Sequence, residues 1–399
     1  MSSSVSAPSL WLSRGHAPEE VETAVVGAGI VGLSTAWWLT RSGHRPMVLD
    51  ADGIASHASG RNAGFLLTGT AETYSSLTRG IGEAAARRLW ELSSENRELL
   101  RGELLDPGKI DCEFTPEGSW VTALADHPEQ ENELRESCER LAALGFDLQW
   151  REASEVRRAS GSSFLGGGIF QPRDGGIDPA RLCRGIARLV GEAGGQVRTG
   201  VRVRRLEPEG GRVRIVTDGG HFLAERVVLA LNAYAPALLP HLQGEIRPVR
   251  GQILATVPGV RDLRGVWYVN DGYEYLRQLS DGTFLLGGCR WAARDTEVGY
   301  EEAPTAKVQG ALESFIREAF PRFADRPIRH RWAGTMAFTA DGLPRTGEVP
   351  GAPGAFYAAG MNGHGMSLGF ATGRWLAGRV MGKESGALFP AATASPVSL

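Results

Sequence analysis

A glycine-rich turn at 27–32 joins an apolar strand to a helix near the start of the chain, and it constrains the fold more than any other feature. Gly27 permits a tight turn, Gly29 lets a pyrophosphate approach the backbone, and Gly32 lets the helix pack closely on the strand. Unpaired N–H groups at a helix N-terminus favour a phosphate there. The spacing therefore predicts a phosphate-binding strand, turn and helix.

A second strand follows this helix and ends in a carboxylate. The helix is predicted to run to Arg41 with Gly43 as its cap, and the strand 47–50 ends at Asp50. The carboxylate can accept hydrogen bonds from ribose hydroxyls and would repel a 2′-phosphate. The three elements together predict a dinucleotide-binding βαβ unit, the alternative being a glycine-rich turn without a ligand.

Length and composition indicate two domains and no strong electrostatic preference. The chain has 399 residues, of which 42% are hydrophobic and 22% charged, and one hydrophobic core rarely organises so many. A net charge of -3 predicts no surface for nucleic acid. No apolar run approaches the roughly 20 residues that cross a bilayer, so we expect no membrane span.

The N-terminal segment and the cysteines indicate where in the cell the protein is expected. Residues 1–20 are rich in Ser, Pro and charge and lack the apolar core of a secretory signal, so we expect a loose tail and a cytoplasmic protein. The cysteines are scattered, with neither a Cys-x-x-Cys pair nor metal-ligand spacing, so we expect reduced thiols and no metal site. They are Cys112, Cys138, Cys183 and Cys289.

Hydrophobic periodicity predicts both helices and strands along the chain, and turn signals separate a late group of strands that we expect to form an antiparallel sheet. The predicted helices, of which the fourth has Asp178 as N-cap, are 30–41, 83–103, 128–144, 179–190 and 305–320. The predicted strands are 23–26, 47–50, 119–124, 196–203, 212–217, 221–224, 226–232, 252–257, 265–270, 273–279 and 283–287.

Further motifs lie at intervals along the chain. They are Asp-Gly-Gly-Ile-Asp-Pro at 174–179, Val203 after a helix and a strand, Val-Leu-Ala-Leu-Asn-Ala at 228–233, Asp-Gly-Leu-Pro at 341–344 and Ala-Gly-Met-Asn-Gly-His-Gly at 359–365. Together with the glycine turn, they resemble the D-amino-acid-oxidase superfamily of FAD enzymes over about residues 20–385. That family includes glycine oxidase, sarcosine oxidase, D-amino-acid dehydrogenase and γ-glutamylputrescine oxidase.

The resemblance implies an α/β and α+β fold of the glutathione-reductase-like FAD type, in which a Rossmann-type FAD-binding domain is interleaved with an antiparallel-sheet substrate domain. The expected divisions are 21–83, 175–234 and 336–385 for the FAD-binding domain, 84–174 and 235–335 for the substrate domain, and 1–20 and 386–399 for two tails.

The resemblance also implies which residues contact FAD. The glycine turn would hold the pyrophosphate, Asp50 the adenosine ribose and Val203 the adenine, and the loop 360–365 would approach the isoalloxazine ring. The residues expected around the cofactor are Gly27, Gly29, Ile30, Val31, Gly32, Asp50, Ala51, Ser59, Gly60, Arg61, Asn62, Ala63, Val203, Ala230, Asn232, Gly334, Gly360, Asn362, Gly363, His364, Gly365 and Met366.

Two short motifs are most similar to γ-glutamylputrescine oxidases, namely Ser-Gly-Arg-Asn-Ala-Gly at 59–64 and Gly-His-Gly at 363–365. In glycine oxidase and its relatives, an arginine that binds the substrate α-carboxylate stands two residues after a Trp-Ala-Gly. Here Thr335 and Met336 follow Gly334. The resemblance therefore favours a primary or secondary amine, with or without a distant carboxylate, over a small α-amino acid.

Two other departures from the family concern the flavin. Members with covalent flavin use a cysteine in the segment that corresponds to 331–344, or a histidine where Arg61 and Asn62 stand; neither residue type is present at these positions. We therefore expect noncovalent FAD. In sarcosine oxidase a lysine activates oxygen, and the apolar strand 284–286 stands at its expected position here. The sequence therefore leaves open whether oxygen or another compound accepts the electrons.

The implied reaction moves a hydride from the carbon next to an amine nitrogen to flavin N5, and water hydrolyses the resulting imine to an aldehyde or keto acid. The amine must first lose a proton, which an imidazole can accept near neutral pH. His364, in the expected flavin loop, and His330, in a predicted strand, are the two candidates, each with a structural role as the alternative.

Two other residues are candidates for the substrate site. Arg290 follows a strand beside Trp291, and its guanidinium could bind an anion or pack on the surface. Tyr273 and Tyr275 share one face of a strand, which would line a pocket or pack in a core. The predicted catalytic residues are His364, Arg290 and Tyr273.

Other classes of protein share parts of this pattern. NAD-dependent dehydrogenases have the glycine turn and the carboxylate, and a non-catalytic flavin-binding protein would have all of the FAD motifs. A glycine or D-amino-acid oxidase or dehydrogenase is the alternative enzyme. We expect a small amine or amino acid as the partner molecule, and the sequence does not indicate an oligomeric state.

Overall fold

The computed structural model describes residues 19–390, so residues 1–18 and 391–399 of the two predicted tails lie outside it. The strands are β1 Glu19–Val26, β2 Met47–Leu49, β3 Phe65–Leu66, β4 Ser119–Leu124, β5 Gln149–Arg151, β6 Leu165–Gln171, β7 Gly175–Gly176, β8 Gln196–Arg198, β9 Val203–Glu209, β10 Arg212–Thr217, β11 Gly220–Leu229, β12 Arg247–Thr256, β13 Val266–Val269, β14 Glu274–Gln278, β15 Phe284–Gly288, β16 Ile328–Phe338, β17 Arg345–Glu348 and β18 Ala355–Ala359.

The α-helices are α1 Ile30–Arg41, α2 Ala58–Arg61, α3 Tyr74–Ile81, α4 Glu83–Leu100, α5 Pro128–Ala143, α6 Ala153–Ser160, α7 Pro179–Glu192, α8 Ala306–Ala319 and α9 Gly365–Val380. A π-helical turn, Arg101–Leu105, extends α4, and a short 3-10 segment, Arg290–Ala293, follows β15. All five predicted helices are confirmed, and Asp178 caps α7 by accepting a hydrogen bond from the backbone N–H of Arg181.

The first sheet carries the predicted βαβ unit at its centre. Its order is β17-β18-β11-β1-β2-β8, with β10 and β9 continuing from β11. Strands β8, β2, β1, β11 and β18 run parallel, whereas β17, β10 and β9 are antiparallel to their neighbours. Because the chain continues from β1 to β2 on one side and places β11 on the other, the carboxyl ends of β1 and β11 form the crevice where such sheets bind ligands.

Helix α1 is packed between this sheet and the last helix, α9. Its residues are buried nearly all around, as expected of a helix that is apolar on every side. A Cβ atom added at Gly369 of α9 would lie 2.8 Å from Cγ2 of Ile30, and one at Gly373 would lie 2.5 Å from Cβ of Ser34. The small residues of α9 therefore allow the close approach that holds the N-terminus of α1 in place.

The second sheet has the order β16-β12-β15-β14-β13-β4-β6-β5. The late strands β12, β13, β14 and β15 pair antiparallel, as we predicted. Of the described strand pairs in this sheet, only β4 and β13 run parallel, which makes the sheet as a whole mixed. The reason is that β4 comes from an earlier part of the chain and joins the edge of the later strands. Alternate residues of β12 and β15, such as Leu254 and Leu286, pack toward α8, and Ile253 and Leu285 lie on the opposite face.

Several predicted boundaries differ from the structure. The strand predicted at 196–203 is two strands, β8 and β9, and those predicted at 221–224 and 226–232 are one, β11. Two exposed charged residues, Glu225 and Arg226, interrupt the apolar pattern of β11 without interrupting its backbone pairing. The domain boundary predicted between 335 and 336 falls inside β16, and the tail predicted to end at 20 overlaps β1. The division into two domains stays a proposal.

A buried ion pair joins elements from several parts of the chain. Asp174 is fully buried and accepts hydrogen bonds from Nη1 of Arg97 at 2.7 Å, from Oγ of Ser119 at 2.6 Å and from the backbone N–H of Thr68 at 3.1 Å. Burial raises the pKa of Asp174, and the charge of Arg97 opposes that shift. The first residue of the 174–179 motif therefore ties α4 and β4 to the segment that leads into the site.

Every helix in the part of the chain that the structure describes is too short or too polar to span a bilayer.

Candidate functional site

A cavity of about 720 Å³ lies between the two sheets, at the carboxyl ends of β1 and β11. An enclosed space of this size, with many apolar and a few polar residues around it, is typical of a cofactor or substrate site. The segments that line it are the glycine turn, residues 50–63, residues 71–76, residues 230–234, the start of β14, residues 288–294, the middle of β16 and residues 361–367.

The glycine turn is built by close backbone contacts. Gly27 has φ +111°, and a Cβ there would lie 2.5 Å from the backbone oxygen of Ala230. A Cβ on Gly32 would lie 1.9 Å from the backbone oxygen of Gly27, so only glycine fits at the strand–helix contact. At Gly29 a Cβ would lie 2.9 Å from Oγ of Ser59, which accepts the N–H of Ile30 at the start of α1.

Asp50 has the predicted place at the end of β2 and lines the cavity. Its Oδ2 accepts the backbone N–H of Ala28 at 2.7 Å, and its Oδ1 accepts those of Asp52 and Gly53 at 2.9 Å each. These bonds hold the carboxylate against the glycine turn. Each oxygen can accept more than one hydrogen bond, so Asp50 can still receive a ribose hydroxyl.

Arg61 packs against the backbone of the second sheet. Its Nε donates to the backbone oxygen of Ser56 at 2.9 Å, and its Nη1 donates to that of Ala333 at 3.0 Å. A Cβ on Gly334 would lie 2.9 Å from Cβ of Arg61, which explains the glycine in the Trp-Ala-Gly motif. Glu302 lies 3.2 Å from Nε of Arg61, so the protein engages the guanidinium through Nε and Nη1.

Two asparagines shape the loop that we expected near the flavin ring. Asn232 and Asn362 have φ +46° and +48°, a backbone conformation that asparagine tolerates better than most residues. Oδ1 of Asn232 accepts the N–H of Met361 at 3.1 Å, and Oδ1 of Asn362 accepts that of Thr339 at 2.9 Å. Their side chains therefore hold the loop, which presents its backbone to the cavity.

His364 is buried in the same loop. Its Nε2 accepts the backbone N–H of Ala71 at 2.9 Å, and its ring also bonds to the backbone of Asn362. Burial lowers the pKa of His364, and the charge of Glu72 opposes that shift. The imidazole thus joins two loops in its neutral form. This arrangement argues against the role of proton acceptor that we considered for it.

Arg290 lies at the other end of the cavity, after Cys289 has turned the chain with φ +52°. Its guanidinium lies 5.6 Å from the ring centre of Phe338. Among residues 19–390 no carboxylate lies within 4.0 Å of it, and burial together with the charges of Arg294 and Arg247 lowers the pKa of Arg290. It is available to bind an anion.

Arg294 lies beside Arg290 and also lines the cavity. Its Nη2 donates to the hydroxyl of Tyr273 at 3.2 Å, whereas its buried Nε has no hydrogen-bond partner in the described chain. Tyr273 and Tyr275 both line the cavity, so their shared face borders a pocket and not a core. Tyr273 supports a guanidinium, and the contacts show no proton transfer role for it.

Most of the predicted residues line the cavity together. The predicted cofactor residues that do not line it are Gly32, Ala51, Gly60, Val203 and Gly360, although Gly32 and Gly60 make close backbone contacts beside it. Val203 begins β9 and pairs with Thr217 there. His330 is exposed on β16, outside the cavity, so its predicted alternative as a proton acceptor is wrong.

Several lining residues were missed. Glu72 stands in a loop without periodicity. Arg290 was a candidate because it follows a predicted strand, and Arg294 lies further along the chain. The rings of Phe65 and Tyr268 pack at a tilt of 58° with ring centres 5.4 Å apart, from segments about 200 residues apart in the chain. The tyrosine at 268 had a detectable signal, because it alternates with buried residues on β13. The other contacts depend on long-range pairing.

The described residues contain no group of three or more His, Cys, Asp or Glu side chains that could hold a metal ion. The four cysteines are all buried and unpaired. Burial raises the pKa of Cys183 to about 12, which keeps this thiol protonated and unreactive.

A Rossmann-type sheet whose glycine turn opens into a cavity beneath a second sheet is the architecture of a nucleotide-dependent oxidoreductase. A family model described as FAD dependent oxidoreductase, DAO, matches residues 22–379. The chain therefore belongs to the DAO family of FAD-dependent oxidoreductases, and FAD is its cofactor.

Curated relatives cover most of the chain. A probable oxidoreductase OrdL of Rhizobium meliloti is 29% identical over 92% of this chain and 84% of its own length. The γ-glutamylputrescine oxidoreductase of Escherichia coli is 27% identical over 89% and 82%, and the glycine oxidase of Bacillus licheniformis is 28% identical over 90% and 93%. The crystal structure of glycine oxidase from Geobacillus kaustophilus matches with a TM-score of 0.80 at 23% identity, over 95% of this chain and 99% of that one, which confirms the fold.

The residues present fit FAD. The turn at Gly27 and Gly29 leaves a cradle that a Cβ atom would fill, and the first turn of α1 contains no acidic residue to repel a pyrophosphate. Asp50 offers a carboxylate at the place where a ribose is expected. FAD supplies the redox chemistry, and the protein supplies binding, orientation and a dry site.

Proposed function

We propose that the protein oxidises a C–N bond of an amine. A hydride passes from the carbon beside the nitrogen to the bound flavin, and the imine that forms is hydrolysed to an aldehyde or keto acid. The observation that carries the proposal is the cavity itself, in which the glycine turn and the charged and aromatic wall of the second sheet border one space. The names of the γ-glutamylputrescine oxidoreductase and glycine oxidase relatives support an amine or amino-acid substrate.

We propose that FAD is held without a covalent bond by the predicted residues that line the cavity. The glycine turn would hold its phosphates, Asp50 its ribose and the 361–366 loop its ring. Arg61 and Asn62 stand where a histidine would attach the flavin, and Arg61 is engaged by other parts of the protein. Val203 does not line the cavity, and its backbone contact with adenine, which the resemblance implies, stays a prediction.

The proposed substrate is a primary or secondary amine that carries an acid group away from the oxidised carbon. Met336 lines the cavity at the position where an α-carboxylate would meet an arginine in glycine oxidase, which supports a different anchor. Arg290 and Arg294 border the same space without a carboxylate partner in residues 19–390. A guanidinium in such surroundings binds a carboxylate by charge-assisted hydrogen bonds.

We also propose a cytoplasmic location, which the buried and unpaired cysteines support.

The substrate domain and FAD-binding domain would meet at the cavity, with β16 passing from one to the other.

A test of function uses the purified holoprotein under anaerobic conditions. We expect amines with a distant carboxylate to bleach the flavin absorbance faster than glycine or D-alanine does, and the rates with oxygen and with a dye would identify the electron acceptor. Reduction by glycine or D-alanine alone would favour the amino-acid oxidase alternative. Bleaching by no amine or amino acid would favour a non-catalytic flavin-binding protein.

The attachment of FAD has a separate test. Acid or heat precipitation should release the flavin into the supernatant and leave a colourless pellet. Yellow colour that stays in the washed pellet would overturn the noncovalent proposal.

A further inference from the structure

The cavity is bordered by five carboxylates, and four of them have partners in the described chain. The partnered ones are Asp50, Glu129, Glu133 and Asp271. The fifth, Glu72, has no hydrogen-bond or ion-pair partner for its carboxylate among residues 19–390, although it is half-buried. A partly desolvated carboxylate without a partner is costly unless a ligand compensates for its charge.

Glu72 occupies a defined place beside the flavin loop. The neighbouring residue, Ala71, donates its backbone N–H to Nε2 of His364 at 2.9 Å, so this segment and the flavin loop are in direct contact. On the other side lies Tyr268, whose pKa is raised by burial and by the charges of Tyr275 and Glu72. The carboxylate therefore lies between the flavin loop and the aromatic wall.

Two tyrosines, Tyr268 and Tyr275, line the cavity together with Glu72, Arg290 and Arg294. Tyr268 and Tyr275 are cross-strand neighbours on β13 and β14, with ring centres 6.3 Å apart. Tyr275 faces Arg290, whose charge lowers the pKa of the phenol while burial raises it. The cavity is thus lined by a carboxylate, on Glu72, without a hydrogen-bond or ion-pair partner among residues 19–390, and by two guanidinium groups, on Arg290 and Arg294, without a carboxylate within 4.0 Å. The charge of Glu72 acts on one tyrosine of the pair and that of Arg290 on the other.

We propose that Glu72 binds the ammonium group of the substrate and accepts its proton, while the guanidinium groups of the same cavity bind its acid group. The site would take an amine whose nitrogen lies against Glu72 and the face of Tyr268 and whose acid group reaches Arg290. Aromatic faces attract cations, so the tyrosine adds to the attraction of the carboxylate. This inference rests on the proposed oxidation of an amine.

The proton step balances without an added reactant. One N–H bond of the substrate ammonium breaks, and its proton forms an O–H bond with a carboxylate oxygen of Glu72. The electron pair stays on nitrogen, so the amine becomes neutral and its lone pair can assist the loss of hydride from the adjacent carbon. No oxidation state changes in this step.

The other titratable groups at this wall are less suited to the role. His364 already uses its ring in two backbone contacts, and Asp271 accepts a hydrogen bond from Gln130. Glu133 pairs with Arg79. His57, on the nucleotide side, is held by Asp52 and lies near Tyr234. Glu72 is the group with free acceptor capacity.

The first experiment measures binding without chemistry. The probe is tert-butylammonium, which has no hydrogen on the carbon next to nitrogen and cannot be oxidised. Its binding to the holoprotein is followed through the change in the flavin spectrum. We expect Glu72→Gln to weaken binding about tenfold or more, because a charge-assisted contact is lost, and the matched variant Glu133→Gln to leave it unchanged. Equal affinities in wild type and Glu72→Gln would overturn the proposal.

The second experiment measures anaerobic flavin reduction by an amine of the proposed class across pH. Glu72→Gln should reduce flavin at least tenfold more slowly than wild type at neutral pH. The deficit should shrink above the pKa of the amine, where the substrate arrives without its proton. A deficit of constant size across pH would show a structural role for Glu72 and overturn the proton step.

The two experiments separate this inference from the proposed function. Binding of tert-butylammonium that depends on Glu72, with no amine able to reduce the flavin, would keep the cation site and reject amine oxidation. Reduction of flavin by amines at the same rate in wild type and in Glu72→Gln would keep amine oxidation and reject Glu72. Glu133→Gln controls for the loss of a carboxylate from the same wall.

Discussion

The nucleotide end and the substrate end of the cavity treat their polar side chains differently. At the nucleotide end, Asp50, Asn232 and Asn362 hydrogen-bond to the backbone and hold loops in place. On the substrate side, Arg290 has no carboxylate within 4.0 Å and the carboxylate of Glu72 has no hydrogen-bond or ion-pair partner among residues 19–390. The first end is therefore built in advance for one cofactor. The second end leaves charged side chains for a ligand to neutralise. Substrate specificity can arise there, because only a ligand with complementary charges compensates them.

Two guanidinium groups show the same difference within one residue type. Arg97 is almost fully buried and pairs with the buried carboxylate of Asp174 at 2.7 Å. Arg290 is partly buried and has two other arginines, Arg294 and Arg247, as its charged neighbours. The comparison predicts that Arg97 supports folding and Arg290 supports binding, because only the first has its charge compensated by the protein.

The largest effect is expected at the nucleotide end. Gly29→Val should abolish retention of FAD, because the side chain would press on Oγ of Ser59 and block the approach of the pyrophosphate to the backbone. The ratio of flavin to protein absorbance after purification measures this loss. The exposed helical Gly191, with no atom within 4 Å of an added Cβ, provides the control Gly191→Val. Full flavin content in Gly29→Val would show that the phosphates bind elsewhere.

The next effect concerns stability. Arg97→Ala should lower the free energy of unfolding by about 3 to 5 kcal/mol, because the carboxylate of Asp174 would stay buried without its charged partner. Urea unfolding measures this change. Arg87→Ala, which removes an exposed ion pair with Glu91 on the same helix, should change stability little. Similar losses for the two variants would show that burial of an ion pair does not determine its contribution to stability.

Arg290→Ala should act on binding and leave stability nearly unchanged. The loss of a charge-assisted contact of about 2 to 3 kcal/mol corresponds to a rise in KM of roughly 30- to 150-fold for an amine with a distant carboxylate. A neutral amine should be affected little. Arg247→Ala removes an exposed neighbouring charge that does not line the cavity and is the control. An equal rise in KM for neutral and acidic amines would contradict the assignment of Arg290 as an anion anchor.

The smallest effect is a pH dependence of stability that arises from His364. Its pKa is lowered in the folded protein, so as pH falls below about 6.5 the unfolded chain takes up a proton that the folded site does not, and stability falls. His364→Gln should flatten this part of the stability profile. Unfolding at about pH 7 and about pH 5.5 measures it. The exposed His330 gives the control His330→Gln, and an unchanged slope in His364→Gln would show that other groups cause the pH dependence.

The nucleotide end was largely predictable from the sequence. The spacing of Gly27 and Gly32 reports a backbone contact between near neighbours in the chain, and the structure shows it, since a Cβ on Gly32 would lie 1.9 Å from the backbone oxygen of Gly27. Helix caps such as Asp178 are equally local. Local contacts can be read from spacing because the intervening residues have few conformations open to them.

The substrate end was predictable only in part. The face shared by Tyr273 and Tyr275 follows from strand alternation, but whether it borders a pocket or a core depends on what packs above it. The parallel pairing of β4 with β13 also had no local signal, since it joins strands with more than a hundred residues between them. The hydrogen bond that Nε2 of His364 accepts had no local signal either, because its donor, the N–H of Ala71, is distant in sequence.

The sequence by itself determined the cofactor unit, the family pattern and most helices and strands, because these depend on periodicity and on glycine at sterically crowded points. Only the tertiary structure decided which charges are free. Arg97 and Arg290 are the same residue type, and so are Glu133 and Glu72, yet one of each pair is compensated and the other is not. That difference depends on partners that the fold brings from distant segments, and it marks where a ligand is expected.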